Sequence, residues 1–472
     1  MRGSVWLLPI LLAGCTSPAL IAARSDADVE SVRQEARARI GEAAPPRSGA
    51  PDDGTIDGTV AEMLRGEIDE AAAVKIALLN NRRVREGYER LGIARADLVQ
   101  AGLLDNPVLS ADAKLFTGGN EFELGLTRSL IDLFLRPLRL RMAESALEEA
   151  QAEVARDLVA LAFDVRRAFV DLRAAQRLVA ARTKSLGAAV ASHDLMRRLH
   201  AAGNVTAPKL TAEETSEARA RIDLAAAEAE AVEAEEPLGV LLGLWGSATE
   251  WRIAGSLGDD VGSGLDLDRA ESRAIGSSLD LVASRARIDA AARAARVEHW
   301  EAIFPDLEAG LVAKRESGGS EWGPGPGVQI GIPLLDAGHA RRAKAAALLR
   351  QRLSHHVSLA VEIRSAARTY RERARSLRDR SVYLRETYLP LRGKLLRETL
   401  AEYNAMQVGA FEVLLARRDE LDAEREYVET LRLAWRARLD LEELAAGCYR
   451  APGGVAAPEP AVSGHEGSRK EH

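Results

Sequence analysis

The stretch LEEAQAEVARDLVALAFDVRRAFVDLRAAQRLV, at residues 147–179, decides the fold class of this chain. Small or aliphatic residues recur in it every seven positions, at Leu147, Val154, Leu161, Ala168 and Ala175. A second series is interleaved with the first, at Leu158, Val165, Leu172 and Val179. Spacings of three and four residues over so many turns predict a long helix that packs as in a coiled coil.

The same pattern returns about 200 residues later in the chain. A repeat period of this size is far longer than that of a solenoid. The second heptad series is Leu353, Ala360, Ala367 and Ala374, interleaved with Ile363, Tyr370, Leu377, Leu384 and Leu391. We therefore predict two repeats, at residues 68–247 and 248–449. A helix of about 65 residues would be roughly 100 Å long, which suits a tube rather than a compact domain.

Each repeat also contains two short runs in which apolar and polar residues alternate. They occupy residues 109–115, 121–127, 306–314 and 328–332, and the Gly-rich residues 323–327 are predicted to form a hairpin turn beside Trp322. This alternation is typical of strands in a membrane barrel, although two surface hairpins on a helical protein are the alternative. Four strands leave open edges, so a membrane barrel requires several copies, and three copies would give twelve strands.

The N-terminus has the pattern of a lipoprotein signal. Arg2 precedes an apolar run at residues 5–13, and Leu12-Ala13-Gly14 leads into Cys15. We predict a signal peptide at residues 1–14 and acyl chains, palmitate among them, on Cys15. Residues 15–67 and 450–472 are rich in Pro, Gly, Ala and charge, so a flexible N-terminal segment and a flexible tail are expected.

No constellation in the sequence supports chemistry. Acids (71) and bases (64) are interspersed, which does not favour a nucleic-acid surface. His355 and His356 point to different sides of a helix, and His193 and His200 are too far apart to share one ion. Cys448 is expected to be a passive thiol. We therefore predict no enzyme activity, no metal site and no cofactor.

From residue 68 to residue 447 the sequence resembles the TolC-like outer-membrane efflux protein family. The resemblance depends on the order of several motifs: Asn106-Pro107, Ala202-Gly203-Asn204-Val205-Thr206, Leu241-Leu242-Gly243, Phe304-Pro305, Ile332-Pro333-Leu334-Leu335-Asp336-Ala337-Gly338 and Leu441-Glu442-Glu443-Leu444-Ala445-Ala446-Gly447. It implies a mainly α-helical fold, in which a homotrimer forms a 12-stranded membrane barrel above a long α-helical barrel.

The resemblance implies a passive exit duct in the outer membrane, lipid-anchored and extending into the periplasm, for drugs or other toxic small molecules. Its partners would be a periplasmic adaptor and an inner-membrane transporter. Efflux of heavy-metal cations and a periplasmic scaffold lipoprotein without a pore remain alternatives. The adaptor would meet two helix-hairpin tips, at Gly203, Asn204, Val205 and Thr206 and at Tyr403, Gln407, Val408 and Gly409.

Two features of the second tip stand out. The family usually has glycine three residues after the tyrosine, whereas Met406 follows Tyr403 here. Glu402, Glu412 and Asp419 are candidate entrance acids. In a trimer, a lumen-facing acid forms a ring that favours cations, and solvated helix-surface charge is the alternative.

Overall fold

The computed structural model describes residues 18–42, 44–45, 53–116, 119–246, 251–262, 264, 267–304, 307–315, 322–331 and 336–451. Several predicted features lie outside the described residues: the signal peptide, Cys15, part of the family-like motif at residues 332–338 and nearly all of the tail. The described part of the chain is mainly α-helical, with one four-stranded and one two-stranded sheet.

The helices in this part of the chain are α1 (Pro18–Ile40), α2 (Asp53–Leu64), α3 (Glu70–Asn80), α4 (Arg82–Gly102), α5 (Ile131–Ala201), α6 (Ala207–Leu242), α7 (Ala270–Ser277), α8 (Leu279–Ile303), α9 (His339–Tyr383), α10 (Leu389–Asn404) and α11 (Ala410–Ala445). A π-helical turn, Leu384–Tyr388, joins α9 to α10. The strands are β1 (Glu67–Ile68), β2 (Val108–Phe116), β3 (Gly119–Ser129), β4 (Arg252–Ile253), β5 (Leu307–Arg315) and β6 (Gly323–Ile330). None of the described helices is both long and apolar enough to span a membrane.

The order of elements after β4 repeats the order between β1 and β4: two helices, two strands, one long helical path and a returning helix. The helix α5 has 71 residues, which corresponds to about 107 Å at 1.5 Å per residue. Its predicted heptad series, from Leu147 to Ala175, is buried. The predicted coiled-coil packing of the first long helix is therefore confirmed.

The corresponding stripe on the second long helix is covered only in its middle. Ile363, Ala367 and Tyr370 are buried, whereas Leu353 is 47% exposed and Leu391 is 56% exposed. A single copy of the chain thus leaves both ends of this apolar stripe in contact with solvent.

The chain before β2 forms two helices, because Asn81 ends α3 and begins α4. Its backbone N–H donates to the Ala77 carbonyl (2.8 Å), and its side chain accepts from the Arg83 N–H (2.9 Å). Its amide nitrogen also donates to the Leu241 carbonyl of α6 (2.9 Å). A capping side chain that satisfies these helix ends stabilises the bend between α3 and α4.

The four-stranded sheet has the order β2-β3-β5-β6, with every neighbouring pair antiparallel. Leu109 lies opposite Leu126, Leu126 opposite Leu311, and Leu311 opposite Pro326. Because opposite residues share a face, the alternating positions combine into one apolar face, with Arg128 and Arg315 at its two ends. The other face carries charge, including the Lys314–Glu123 ion pair at 3.1 Å.

The prediction of a hairpin turn at residues 323–327 is wrong, since these residues form most of β6. Gly323 pairs with Lys314, and Pro324 and Pro326 lie opposite Ala313 and Leu311. Proline has no N–H, so these two pairs are not hydrogen-bonded ones, and both proline nitrogens face the open edge of the sheet. Proline is tolerated here because β6 is an edge strand.

The expectation of a flexible segment at residues 15–67 is also wrong over its described part. The helix α1 buries Val29, Val32, Ala36 and Ile40. Asp28 accepts hydrogen bonds from Arg95 Nε of α4 (2.6 Å) and from Gln151 Nε2 of α5 (3.0 Å). These apolar spacings of three and four residues give α1 a face that packs on α4 and α5.

The segment between the halves crosses the long helices midway along their length. β4 pairs in parallel with β1 at the start of the first half. Arg173 Nε of α5 donates to the Ala254 carbonyl (3.2 Å), and Trp435 Nε1 of α11 donates to the Gly258 carbonyl (2.8 Å). The segment at residues 251–262 therefore fixes α5 and α11 to each other at this level.

Candidate functional site: the two hairpin tips

The first tip connects α5 to α6 through a turn that depends on Gly203. Its φ is +77°, in the left-handed region. The Gly203 N–H donates to the His200 carbonyl (2.9 Å), and the Asn204 N–H donates to the Leu199 carbonyl (2.9 Å). These two bonds define a Schellman motif, which satisfies the last carbonyls of α5 and reverses the chain.

The second tip connects α10 to α11 through the same motif. The Met406 N–H donates to the Tyr403 carbonyl (2.9 Å), and the Gln407 N–H donates to the Glu402 carbonyl (2.9 Å). Met406 therefore occupies the position of Gly203, with φ of +61°. Its side chain is 93% exposed. The departure from the family's glycine thus places a side chain where the backbone favours glycine.

The structure places all the predicted tip residues in or beside these two turns. Thr206 and Gly409 are the N-caps of α6 and α11. The Val205 carbonyl lies 2.7 Å from His200 Nδ1, which closes the first turn. The predicted tips are therefore real chain reversals, and their role in contacting a partner stays a prediction.

The three candidate entrance acids differ in their surroundings. Glu402, in the last turn of α10, and Glu412, in the first turn of α11, are exposed. Asp419 is half-buried and accepts a hydrogen bond from Arg392 Nη1 (3.0 Å). Arg392 thus already pairs with Asp419, whereas Glu402 and Glu412 are open to solvent, and a role at an entrance stays a prediction for all three acids.

A contact that sequence reasoning missed lies above the second tip. The Tyr388 hydroxyl accepts from Arg392 Nη2 (3.0 Å), and the Arg392 guanidinium carbon lies 5.2 Å from the centre of the Tyr388 ring. Arg392 therefore links Tyr388 and Asp419, which joins α10 to α11. We call these three residues the arginine clamp.

The arginine clamp directly follows the irregular turn between α9 and α10. The Leu389 N–H donates to the carbonyl of Leu384, five residues earlier. Pro390 has no N–H to donate to a carbonyl four residues earlier, so regular α-helical bonding is interrupted here. Pro390 was the available sequence signal, although it could not show which side chains would meet.

A groove of 370 Å³ lies between the two hairpins near the tips. Its walls come from α5, α6 and the first turns of α11, and two large apolar side chains on it, Phe411 and Leu415, are exposed. Arg182 of α5 pairs with Asp223 of α6 at 3.1 Å inside the groove. The groove thus combines apolar contact area with charge, although the sequence offered no local pattern for it.

His193 and His200 contact different groups in the structure. His193 Nδ1 lies 2.7 Å from a carboxylate oxygen of Glu217 on α6. This hydrogen bond from His193, supported by Arg221, lowers the pKa of the Glu217 carboxyl. Among the described side chains, no group of three or more His, Cys, Asp or Glu is arranged to hold a metal ion.

At the far end of α11, burial raises the pKa of the Cys448 thiol to about 12.

Parts of the sequence are similar to known proteins. Residues 73–244 match the family model described as outer membrane efflux protein. The chain is 26% identical, over 275 residues, to the cobalt-zinc-cadmium resistance protein CzcC of Cupriavidus metallidurans. That match covers 57% of this chain and 64% of CzcC, so it spans less than two thirds of the curated relative.

Solved structures share the fold. A membrane protein from Pseudomonas aeruginosa matches with a TM-score of 0.65 and 19% identity, over 80% of this chain and 93% of that chain. The open state of the MtrE outer membrane channel of Neisseria gonorrhoeae matches with a TM-score of 0.60 and 16% identity, over 79% and 88% of the two chains. At these identities the likeness shows the fold alone.

The two tips provide a matched test of backbone strain. Met406→Gly should stabilise the second tip by roughly 0.5–1 kcal/mol, because relief of left-handed strain exceeds the entropy gained by the unfolded chain. Gly203→Ala should destabilise the first tip by about 1 kcal/mol through φ alone, since a Cβ there meets no atom within 4 Å. Hydrogen exchange of the last-turn amides should change by about fivefold in these opposite directions. Gln407→Gly is the control, and it should lower the protection of these amides against hydrogen exchange. Lower protection in Met406→Gly would contradict left-handed strain at Met406.

The family model covers the first hairpin together with its two strands. The shared fold covers about four fifths of the chain. Both agree with the resemblance carried by the sequence motifs. Residues 73–244 therefore resemble the outer membrane efflux protein family, and about four fifths of the chain has the fold of solved outer membrane channels.

Proposed function

We propose that the chain forms the outer-membrane exit duct of an efflux system and conducts its cargo passively. The observation that carries this proposal is a four-stranded sheet with one apolar face, mounted on helical hairpins about 100 Å long. The apolar face suits lipid, and the hairpins suit a tube that crosses the space beneath the membrane. Proteins with the same fold include the outer membrane channels OprN, CmeC and MtrE.

The sheet edges argue for an assembly of several copies. Strands β2 and β6 each pair on one side only among the described residues. Unpaired backbone groups in lipid cost several kcal/mol each, so each edge requires the edge of another copy. Three copies of the four strands supply twelve, the number that we propose for the barrel.

The prolines of β6 limit how these edges meet. On β6, the backbone groups that point to the open edge belong to every second residue: Pro324, Pro326, Val328 and Ile330. Of these, only Val328 and Ile330 carry an N–H. On β2, the edge-facing residues include Leu109, Ala111 and Ala113. The seam between copies therefore has donors from β6 mainly in its helix-proximal half.

Exposed apolar stripes on the helices support the same assembly. Leu353, Val357 and Val361 follow one another at spacings of four residues on α9, and all three are exposed. We propose that helices of neighbouring copies cover them, which completes the heptad packing that one chain leaves open. The helices as well as the strands thus support the proposed assembly of several copies.

The tips are the proposed contacts with a periplasmic adaptor, which would join the duct to an energy-supplying inner-membrane transporter. The groove between the hairpins offers Phe411 and Leu415 for apolar contact. Glu402 and Glu412 would form acid rings at the entrance of the trimer.

For the cargo, drugs or other toxic small molecules are our first candidate. The name of CzcC favours a second candidate, divalent metal cations. The exposed acids at the second tip are compatible with cation passage.

The duct is tested by the mass and the bilayer conductance of the detergent-extracted protein. We expect a trimer that conducts ions. Leu124→Arg, on the apolar face, should abolish membrane assembly, because arginine at the bilayer midplane costs about 2–4 kcal/mol. Gln329→Arg, on the opposite face, is the matched control and should still assemble. A monomer, or a trimer that stays silent when the tips are mutated to open it, would favour the scaffold lipoprotein without a pore.

Disulfide trapping tests the seam between copies. Cysteine at Val328 should form an inter-protomer disulfide with cysteine at one of Leu109, Ala111 or Ala113, because all four residues lie on the apolar face at facing edges. Non-reducing gels should then show a covalent trimer. Val328→Cys combined with Ser110→Cys is the control, since Ser110 lies on the other face. Failure of all three pairs would contradict a seam between β2 and β6.

Tolerance assays in the native host separate the two cargo classes. Deletion of the gene should lower tolerance to dyes and detergents if drugs are the cargo, and tolerance to Co²⁺, Zn²⁺ and Cd²⁺ if metal cations are. The full-length gene supplied in trans is the control. A Glu402→Gln, Glu412→Gln double variant should lower complementation for metals only. Unchanged tolerance to both classes of compound would contradict both proposed cargoes.

A further inference from the structure

An apolar cavity of 450 Å³ lies at the junction between the helices and the four-stranded sheet. Its lining includes Phe134, Leu135 and Leu138 from the first turns of α5, and Trp300 and Phe304 from the end of α8. Phe134 is 73% exposed and Trp300 is 47% exposed, so the cavity is open at the surface. A large apolar opening of this kind is the usual form of a binding site for an apolar ligand.

The cavity lies at the level where the proposed membrane part begins. Leu307, the first residue of β5, contributes to its wall, and the Leu307 carbonyl accepts from the Leu130 N–H just before α5 (2.8 Å). In the proposed duct this level corresponds to the inner surface of the outer membrane. An acyl chain anchored in that surface would therefore be close to the opening.

The helix α1 runs along α5 in the same direction. Asp28 bonds to Gln151, whereas the Ile40 carbonyl, twelve residues further along α1, accepts from Arg166 Nη2 (3.0 Å). The N-terminus of α1 therefore points towards the start of α5, where the cavity lies.

The length of α1 brings its first residue to the level of the cavity. Pro18 precedes Asp28 by ten residues, which corresponds to about 15 Å along the helix. The same distance measured back from Gln151 along α5 ends near residue 141, within about one turn of Leu138. Residues 18–23, Pro-Ala-Leu-Ile-Ala-Ala, are apolar, and charge begins only at Arg24. This composition suits a helix start at a lipid surface.

Cys15 lies three residues before Pro18. Three residues span at most about 11 Å, so an acyl chain on Cys15 starts within reach of the cavity. We propose that one acyl chain of the lipidated Cys15 binds in this cavity. The proposal depends on the proposed outer-membrane location and on the predicted lipidation.

Such binding would give the lipid anchor a second role. The anchor would hold the start of α1 against the start of α5, while Asp28 and its partners hold the middle of α1. The anchor, α1 and the junction would then form one unit at the membrane surface. A chain inserted only in the bilayer would leave the start of α1 free to move relative to the sheet.

Photo-crosslinking through the acyl chain tests this directly. Cells that express the full chain are fed a fatty acid that carries a diazirine, the membranes are illuminated, and the purified protein is digested for mass spectrometry. We expect the Cys15 lipopeptide to be joined to the peptide that contains residues 131–138 or to the peptide that contains Trp300. Mixed isotope labelling of two protein pools shows whether the joined peptides come from one copy.

Several outcomes would overturn the proposal. A phospholipid fragment on these peptides, without the lipopeptide, would assign the cavity to membrane lipid. A peptide of a second copy in the same place would assign it to the assembly interface. A lipopeptide joined only to other regions, or an intact Cys15 thiol, would also exclude the proposed occupant.

Matched variants separate binding in the cavity from general folding. Leu138→Gln should lower the cross-link yield on the order of tenfold, the effect of losing about two buried methylenes. Leu133→Gln is the control, because Leu133 is exposed and does not line the cavity. Asp28→Ala should also lower the yield by loosening α1, whereas Glu30→Ala, which removes an exposed pair with Arg33, should not.

The conductance of the same preparations distinguishes this proposal from the proposed function. Trimers that conduct normally but give no lipopeptide cross-link would reject the acyl site alone. Preparations that give the cross-link but do not conduct would reject the duct and keep the acyl site.

Discussion

The buried heptad stripe of α5 is the interaction on which the rest of the described structure depends. α4 and α8 pack along the half of α5 that begins at the sheet, and α6 and α11 pack along the half that ends at the first tip. α1 packs beside the middle of α5. Within this packing, Arg167 of α5 is nearly buried and pairs with Asp440 (3.1 Å) and Glu443 of α11. Removing one partner of such a buried pair costs about 3–5 kcal/mol, because a charge is left uncompensated. The stripe provides apolar burial along α5, and the ion pairs fix how α11 lies against it.

The register of the four-stranded sheet decides which residues form its two faces and its two edges. Its apolar face forms because each register places leucines, alanines and prolines opposite one another. The same register turns the nitrogens of Pro324 and Pro326 outward, so the sheet stops at β6 within one chain. Lys314 and Glu123 lie on the other face and neutralise each other there. The sheet thus has two complete faces, whereas its edge strands β2 and β6 each pair on one side only among the described residues.

Periodicity accounts for what the sequence predicted well. The heptads of α5 and the alternation in β2, β3 and β5 are local patterns, and they specify helix, strand and face without knowledge of the tertiary structure. The errors arose where a distant partner decides the outcome. Residues 18–40 form a docked helix because Arg95 and Gln151 are there to receive Asp28. Residues 323–327 form a strand because β5 lies beside them, and the arginine clamp exists only because Asp419 comes from α11.

The two hairpins share a geometry but differ in the stability that their residues provide. At the first tip, glycine adopts the left-handed position at no steric cost, whereas Met406 adopts it against its preference. The irregular turn at Leu384–Tyr388 lies in the second hairpin, and no described residue of α10 is buried. Local opening is cheapest where buried contacts are few and helical bonding is interrupted. The second hairpin is therefore the more deformable of the two, and the arginine clamp is the contact that restrains it closest to the irregular turn.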